Sequence, residues 1–509
     1  MGVFDLLQAG FAVVFEPSMF LLLIVAIILG TIFGALPGVS ATMAVALGVP
    51  FTYSMDPIKG IAFLVAIYCS SITGGSITAI LFKIPGTPSS APTTIEGYAL
   101  AQQGKAGYAM GVSLAVSAIG GMFSALVMLL LSPQLTKAAL SFGPSELFAV
   151  TFLGLSILTS LDSDNMNRCI ISGLLGLFLS CIGIDPLLGI PRLTFGNSLL
   201  TSGIEMIPVM IGIFAVTEVL KQTEKADFLR AEDGIDGGNV KTVFPKMREY
   251  WELKWNILRH SIIGTVVGIL PGAGATIAAF LSYSTEAKMC KHPELIGHGS
   301  VELLCASETS NNAATGGAMV PLLTMGIPGG SAAAIMMSAL VLKGVQMGPL
   351  LLINQPEFLA ATFSSMFVAN ILMVVVAMWV ARIFAKILSV PYSVLGPIIV
   401  MLATIGAYST KSAIVDVQLM AIAGIVGFLF KVCRFDATAL ILGLVLGPLC
   451  ETNLRRAITI ANGDSMGIKI IGLLQRPITG FLLLVCVIML LYPVVKPLIS
   501  KKKEKPATV

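Results

Sequence analysis

The stretch Gly30–Val45, GTIFGALPGVSATMAV, returns 234 residues later as Gly264–Ala279, GTVVGILPGAGATIAA. Nine of the sixteen aligned positions are identical, among them Gly34/Gly268, Leu36/Leu270, Pro37/Pro271, Gly38/Gly272 and Thr42/Thr276. Each copy sets a Pro-Gly pair inside an apolar run long enough to cross a bilayer. Proline removes a backbone donor and obstructs the carbonyl one turn back, and glycine weakens the helix further. Two helices are therefore predicted to break at membrane depth, at Pro37 and Pro271. Backbone groups freed by a break find no partner in lipid, so each break has to face protein or a polar cavity. Interrupted apolar segments at matching places in two halves mark the binding site of a secondary transporter.

Composition leads to the same class. The 509 residues are 56% hydrophobic and 11% charged, with a mean hydropathy of +0.92, where a soluble domain carries roughly 25% charged residues. The chain reads as an all-α polytopic integral membrane protein of about ten to twelve transmembrane helices, some discontinuous or folded as re-entrant hairpins. A net charge of +4, spread over scattered basic residues, gives no nucleic-acid footprint. The eight cysteines form no CxxC pair and read as packing residues. The N-terminus, MGVFDLLQAG, has no basic n-region, so no cleavable signal peptide is expected. No HExxH, P-loop or GxGxxG fingerprint is present. Gly463-Asp464-Ser465-Met466-Gly467 fits G-x-S-x-G, but nothing around it reads as strand, elbow and helix. An enzyme is not expected, nor a cofactor.

The halves are copies in the same order. Thr73-Gly74-Gly75 and Thr315-Gly316-Gly317 lie 242 residues apart, and Ile84-Pro85-Gly86 and Ile327-Pro328-Gly329 lie 243 apart. Gly173-x-x-Gly176 with Asp185 matches Gly424-x-x-Gly427 with Asp436 at 251. Offsets that rise slowly along the chain are what a duplication with small insertions leaves. Repeat one is placed at 1–220 and repeat two at 257–497, joined by a polar linker at 221–256 and followed by a basic tail at 498–509. Pro85 and Pro328, like Pro37 and Pro271, are helix-breaking positions, and the glycines of each TGG are expected to interrupt their helices. The linker and the tail are rich in Lys and Arg, whereas nothing before the first span is basic. The positive-inside rule makes linker and tail cytoplasmic, and the two repeats then enter the bilayer from opposite sides, an inverted pair.

Polar groups near the breaks are hydroxyls, amides and backbone. Ser40, Thr42, Ser71, Thr73 and Gly74 are substrate-binding candidates in half one. Gly274, Thr276, Asn311, Asn312, Thr315 and Gly316 are their counterparts in half two. A helix restarting after Pro-Gly points free N–H groups and its positive dipole end into the cavity, which suits a carboxylate. Carbonyls freed before the break suit Na⁺, so Gly38, Gly272 and the carboxylate Glu308 are cation-binding candidates. Small residues also serve close helix packing in lipid, and Glu308 could equally relay a proton or sit at a membrane edge. Lys83, Glu146, Glu205, Glu218, Asp416, Arg455 and Arg456 fall at segment ends and read as interfacial.

At these residues the sequence resembles the large membrane subunit of tripartite tricarboxylate transporters. The resemblance rests on GALPGVSAT, TGG…IPGTPSSAPTTIEGYALAQQGKAG, ILPGAGAT, SETSNNAATGGAMVPLLTMGIPGG and LGLVLGPLCETNLRRAI…QRPIT. It implies a multi-pass permease of the bacterial cytoplasmic membrane that works with a small membrane subunit and a periplasmic solute-binding protein. It also implies uptake of carboxylates such as citrate, with Na⁺ as the coupling ion. The family's motifs fall on Pro37/Gly38, Pro271/Gly272, Asn311/Asn312, Gly316/Gly317 and Pro328/Gly329. Val39-Ser40 stands where the family often has Leu-Gly, adding a hydroxyll beside the first break. Alternating access of elevator type is the expected movement. A passive anion channel or a non-transporting scaffold is the alternative, and an intramembrane hydrolase using Ser465 a third.

Overall fold

The computed structural model describes residues 3–36, 39–156, 166–224, 241–387, 392–461 and 472–500. Pro37, Gly38, Ser465 and the tail from Lys501 lie outside them. The first half comprises α1 (Val3–Val14), α2 (Pro17–Ala35), α3 (Ala41–Thr52), α4 (Pro57–Phe82), α5 (Thr93–Leu100) and α6 (Ala106–Leu140). It continues with α7 (Pro144–Ser156), α8 (Met166–Ser180), α9 (Ser198–Thr201), α10 (Met206–Ile211) and α11 (Thr217–Glu224). The second half holds α12 (Met247–Ile269), α13 (Gly274–Glu286), α14 (Val301–Met325), α15 (Ser331–Leu342) and α16 (Pro349–Asn354). It ends with α17 (Pro356–Ile387), α18 (Tyr392–Lys411), α19 (Ile414–Val432), α20 (Ala437–Ile460) and α21 (Pro477–Ser500). The strands found among the described residues form a two-residue antiparallel ladder, Gly183–Ile184 with Pro191–Arg192.

Six helical stretches among the described residues are long and apolar enough to cross a membrane: 17–35, 57–82, 93–140, 356–382, 414–432 and 437–460. Shorter apolar helices, such as Ala41–Thr52 and Ser331–Leu342, occur where a Pro-Gly pair precedes a restart. The chain is a multi-pass membrane protein. The N-terminal end of α12, Met247 to Asn256, is helical, so the polar connection is shorter than its composition indicates. Trp251 and Trp255 are exposed there, with Lys254 Nζ 3.7 Å from the Trp251 ring centre, which is how a helix anchors at a membrane–water boundary.

Each Pro-Gly motif separates two helices. α2 ends at Ala35 and α3 begins at Ala41; α12 ends at Ile269 and α13 begins at Gly274. The residues that leave α2 and α12 share one conformation, Leu36 at φ −72°, ψ 121° and Leu270 at φ −73°, ψ 121°. The TGG motifs behave differently. α4 runs unbroken through Gly74 and Gly75, and α14 through Gly316 and Gly317. With no water to compete for the backbone hydrogen bonds, these glycines serve close helix packing instead of breaking the helix.

The packing fixes the register of the duplication. Gly30 lies on Ile67 and Gly264 on Ser310; Gly34 lies on Ser71 and Gly268 on Ala314; Gly74 lies on Thr31 and Gly317 on Thr265. After the helices, Gly86 lies on the Gly34 carbonyl and Gly329 on that of Gly268. α2 thus maps onto α12 at 234 residues and α4 onto α14 at 243. Both α4 and α14 end in a left-handed residue, Lys83 (φ 58°) and Gly326 (φ 70°), again 243 apart. The TGG spacing of 242 is therefore one residue out of register. Gly74 corresponds to Gly317, Thr73 to Gly316 and Ile72 to Thr315.

The chain forms two compact units, and neither is a linear half. One gathers the described residues of Met1–Lys137 and Ile207–Phe428, the other those of Ala138–Met206 and Leu429–Val509. The late helices are exchanged between halves. Within the second unit Gly176 of α8 lies on Leu440 of α20, and Gly443 on Gly173. Within the first, Gly424 of α19 lies on Val216, and Thr217 Oγ1 donates to the Gly424 carbonyl at 3.0 Å. Asp185 and Asp436 follow as a matched pair. Oδ1 of Asp185 accepts from the amides of Leu187 and Leu188, and Oδ1 of Asp436 from those of Thr438 and Ala439.

Candidate substrate and ion site

Inside the first unit, α4 and α14 cross antiparallel along a buried polar seam. Cys69, Thr73 and Ser76 share one face of α4; Glu308, Asn311, Asn312 and Thr315 share one face of α14. Cys69 Sγ lies 3.6 Å from Thr315 Oγ1, Thr73 Oγ1 donates to Asn312 Oδ1 at 3.0 Å, and Ser76 Oγ donates to Glu308 Oε1 at 2.7 Å. Asn312 Nδ2 donates to Asn311 Oδ1 at 2.8 Å. All seven residues are buried. α17 supplies Met373, whose sulfur accepts from Thr73 at 3.3 Å, and Asn370, packed against Gly121 of α6. Two amide atoms of the seam are buried without a hydrogen-bond partner, the Asn311 Nδ2 donor and the Asn370 Oδ1 acceptor.

Glu308 is wholly enclosed by protein. Its Oε1 accepts from Ser76 Oγ and Thr93 Oγ1, and its Oε2 from Ser113 Oγ and Ser117 Oγ, each at 3.1 Å. Among the described residues no Lys, Arg or His pairs with it. Four other buried carboxylates are held differently. Glu96 accepts from the amides of Gly297 (2.8 Å), Gly299 (3.0 Å) and Ser300 (2.8 Å) and from Tyr283 Oη (2.8 Å). Glu286 has Arg259 at 2.9 Å and His260 Nε2 at 2.8 Å. Asp185 has Arg455 at 2.6 Å, and Glu146 has Arg476 at 3.5 Å. Glu146 and Arg455 are thus each ion-paired within the protein. The hydrogen bond from Arg455, with the Leu187 and Leu188 amides, holds the Asp185 carboxyl down at about 2.

The α5 helix positions this site twice. Thr93 in its first turn reaches Glu308, and Glu96 one turn later fastens the chain that opens α14. Gly297 (φ 78°) and Gly299 (φ 100°) take left-handed backbone there, so that successive amides turn onto the Glu96 carboxylate.

The two breaks sit at opposite ends of the seam. Gly86, on the end of α2 at Gly34, also lies on Gly75, the neighbour of Ser76. The first break is therefore beside the Glu308 shell. Gly329, on the end of α12 at Gly268, lies on Ala318, ten residues or about 15 Å along α14 from Glu308. Ser40 caps α3 by accepting from the Met43 amide at 3.1 Å; Thr42 and Thr276 are half-buried. Gly272 (φ 83°) donates its amide to the Gly329 carbonyl at 3.1 Å, and Gly274 (φ 62°) opens α13.

The sequence candidates thus separate into four groups. Thr73, Asn311, Asn312, Thr315 and Glu308 come together in the seam. Ser40, Thr42, Gly272, Gly274 and Thr276 flank the breaks, with Pro37 and Gly38 outside the described residues. Ser71, Gly74 and Gly316 pack helices: Ser71 on Gly34, Gly74 on Thr31 and Gly316 on Ser124. Pro85 and Pro328 follow the left-handed caps of α4 and α14, where those two helices stop. Sequence reading missed Ser76, Thr93, Ser113, Ser117 and Asn370. Ser113, Ser117 and Ser124, four and seven residues apart, formed a legible polar face on α6; nothing local singled out Thr93.

The sequence model of the tripartite tricarboxylate transporter TctA family matches residues 20–442. The chain belongs to that family. As a TctA-family protein it is a transporter subunit and not an enzyme. It is 35% identical over 499 residues to an uncharacterized 52.8 kDa protein in the TAR-I ttuC′ 3′ region of Agrobacterium vitis, covering 97% of this chain and 98% of that one. An uncharacterized protein in the TAR-II ttuC′ 3′ region of the same organism is 37% identical over 236 residues, 46% of this TctA-family chain and 96% of the relative. No solved structure matches it.

Proposed function

We propose that this TctA-family chain is the permease of a secondary-active uptake system for a small organic carboxylate, citrate or a related di- or monocarboxylate. A periplasmic solute-binding protein delivers the acid to the bacterial inner membrane, a small membrane subunit completes the complex, and an inward Na⁺ gradient drives transport. The observation that carries this reading is the buried seam of Thr73, Asn311, Asn312 and Thr315, with a helix break beside each end. A buried amide donor without a partner is costly, and a carboxylate oxygen would satisfy Asn311 Nδ2. The restarting helices α3 and α13 add free N–H groups and favourable dipole ends for an anion.

The antiparallel crossing of α4 with its counterpart α14 supports inverted halves, the architecture from which alternating access follows. All described residues of the seam and of both breaks belong to one compact unit. That supports carriage of the site as a body, an elevator-type movement.

The test is uptake of labelled citrate and a panel of dicarboxylates into proteoliposomes holding the chain with its partner subunits. Uptake should require an inward Na⁺ gradient and be lost in Asn311→Ala and Thr73→Val. Equilibration regardless of the gradient would make the protein a passive anion channel. No flux of any acid would sink the substrate class.

A further inference from the structure

We propose that Glu308, with the hydroxyls of Ser76, Thr93, Ser113 and Ser117, binds one Na⁺ per chain. The proposal rests on the cation-coupled reading above and assigns that ion a place and a stoichiometry.

Charge is the first argument. An ionised carboxylate out of water needs compensation. Glu286 receives it from Arg259 and Asp185 from Arg455; Glu96, like Glu308, has neutral donors alone, but three of them are fixed backbone amides with no lone pair to offer an ion. Glu308 has hydroxyls alone, and hydroxyls carry no net charge. One bound monovalent cation neutralises the site, whereas a divalent ion would leave a net positive charge among apolar helices.

Ligand chemistry is the second. The four donors come from three helices and fall two on each carboxylate oxygen, Ser76 and Thr93 on Oε1 and Ser113 and Ser117 on Oε2. A hydroxyl proton rotates freely, so each oxygen that now donates to Glu308 can turn a lone pair to an ion instead. The shell thereby offers hard, uncharged oxygens around a single negative charge, the donor set suited to Na⁺ rather than to a soft or multiply charged metal.

The duplication supplies an internal control. At the 243-residue offset of α4 and α14, Glu308 corresponds to Val65, Ser76 to Met319 and Thr93 to Met336. α6 maps onto α17 at 249, because Gly121 meets Asn370 and because Gly316 lies on Ser124 where its counterpart Thr73 reaches Met373. Ser113 then corresponds to Thr362 and Ser117 to Met366. All five counterparts are buried; four are apolar, and the Thr362 hydroxyl is engaged by its own helix at the Phe358 carbonyl. The repeat places a second shell and fills it with hydrocarbon and sulfur. Only one of the two equivalent places carries the ion chemistry, and it is the one beside the first break.

The experiment uses the purified full-length chain in nanodiscs, without carboxylate or partner subunits. Its unfolding midpoint is followed as NaCl replaces choline chloride at constant ionic strength. A site that binds only the folded chain raises the midpoint with Na⁺ concentration. The wild type should show that rise, and Glu308→Gln should abolish it. Ser113→Ala and Ser117→Ala, which each remove one oxygen, should need about tenfold or more Na⁺ for the same rise. Met366→Leu, in the counterpart shell, should leave the dependence unchanged. A full Na⁺ response in Glu308→Gln would overturn the proposal. So would a wild type that ignores Na⁺ but shifts with pH in a manner lost in Glu308→Gln, since Glu308 would then hold a proton. The carboxylate reading fails separately: an intact Na⁺ response with no acid flux leaves the ion site standing, and Na⁺-driven uptake in Glu308→Gln leaves the function standing without this site.

Discussion

At Gly34 the backbone of α2 rests on the backbone of Ser71, and no side chain fits between them. Gly34→Val forces the helices apart where α4 has no freedom to yield; a destabilisation of about 3 kcal/mol is expected, read as a lower unfolding midpoint and a smaller monodisperse yield. Asp185 makes a different prediction. Because Arg455 and two amides depress its carboxyl to about 2, it favours the folded chain at every pH above the ordinary aspartate range. That contribution fades only as pH falls from there towards 2. Asp185→Asn should lower the unfolding midpoint at neutral pH and flatten its acid limb, measured by melts across pH. Glu308 shows how far a sequence reaches at this scale. A carboxylate in an apolar run is visible, and its chemistry can be posed. Its shell cannot, because Thr93, Ser113 and Ser117 lie 215, 195 and 191 residues away and only the packing of α5 and α6 on α14 brings them in.

Among the elements, the breaks at Pro37 and Pro271 were legible, since proline and glycine act through local backbone chemistry whatever the surroundings. The TGG glycines were misleading for the same reason in reverse: low helix propensity matters little where lipid and protein offer the backbone no alternative partner. The left-handed ends of α4 and α14 separate the two effects. Gly326 occupies at φ 70° the place that Lys83 holds at φ 58°. Gly326→Ala should cost about 1 kcal/mol by thermal unfolding, because the left-handed region penalises a Cβ. Glu96→Gln tests the clamp that opens α14. An amide retains one acceptor oxygen for four donors, so a loss of about 2 kcal/mol is expected. Thr93 lies one turn from Glu96, so the same change should weaken the Na⁺ response as well.

For the whole molecule, the duplication was readable as repeated motifs, but not the exchange of late helices that assembles each compact unit from both halves. Periodicity reports which residues face a neighbour and carries no record of whose helix that neighbour is. The exchange predicts that residues 1–224 and 241–509 expressed separately give no stable folded product, and that co-expressed they copurify and regain Na⁺-driven uptake. Co-purification and transport assays check both parts. On the proposed function one protein couples the acid to the ion, and coupling is reciprocal. Reciprocity is read from the movement of radiolabelled Na⁺ into proteoliposomes of the complete complex under an imposed inward citrate gradient, with no Na⁺ gradient. Na⁺ should accumulate against its own gradient in the wild type and not in Glu308→Gln. Citrate entry with no accompanying Na⁺ would contradict that coupling.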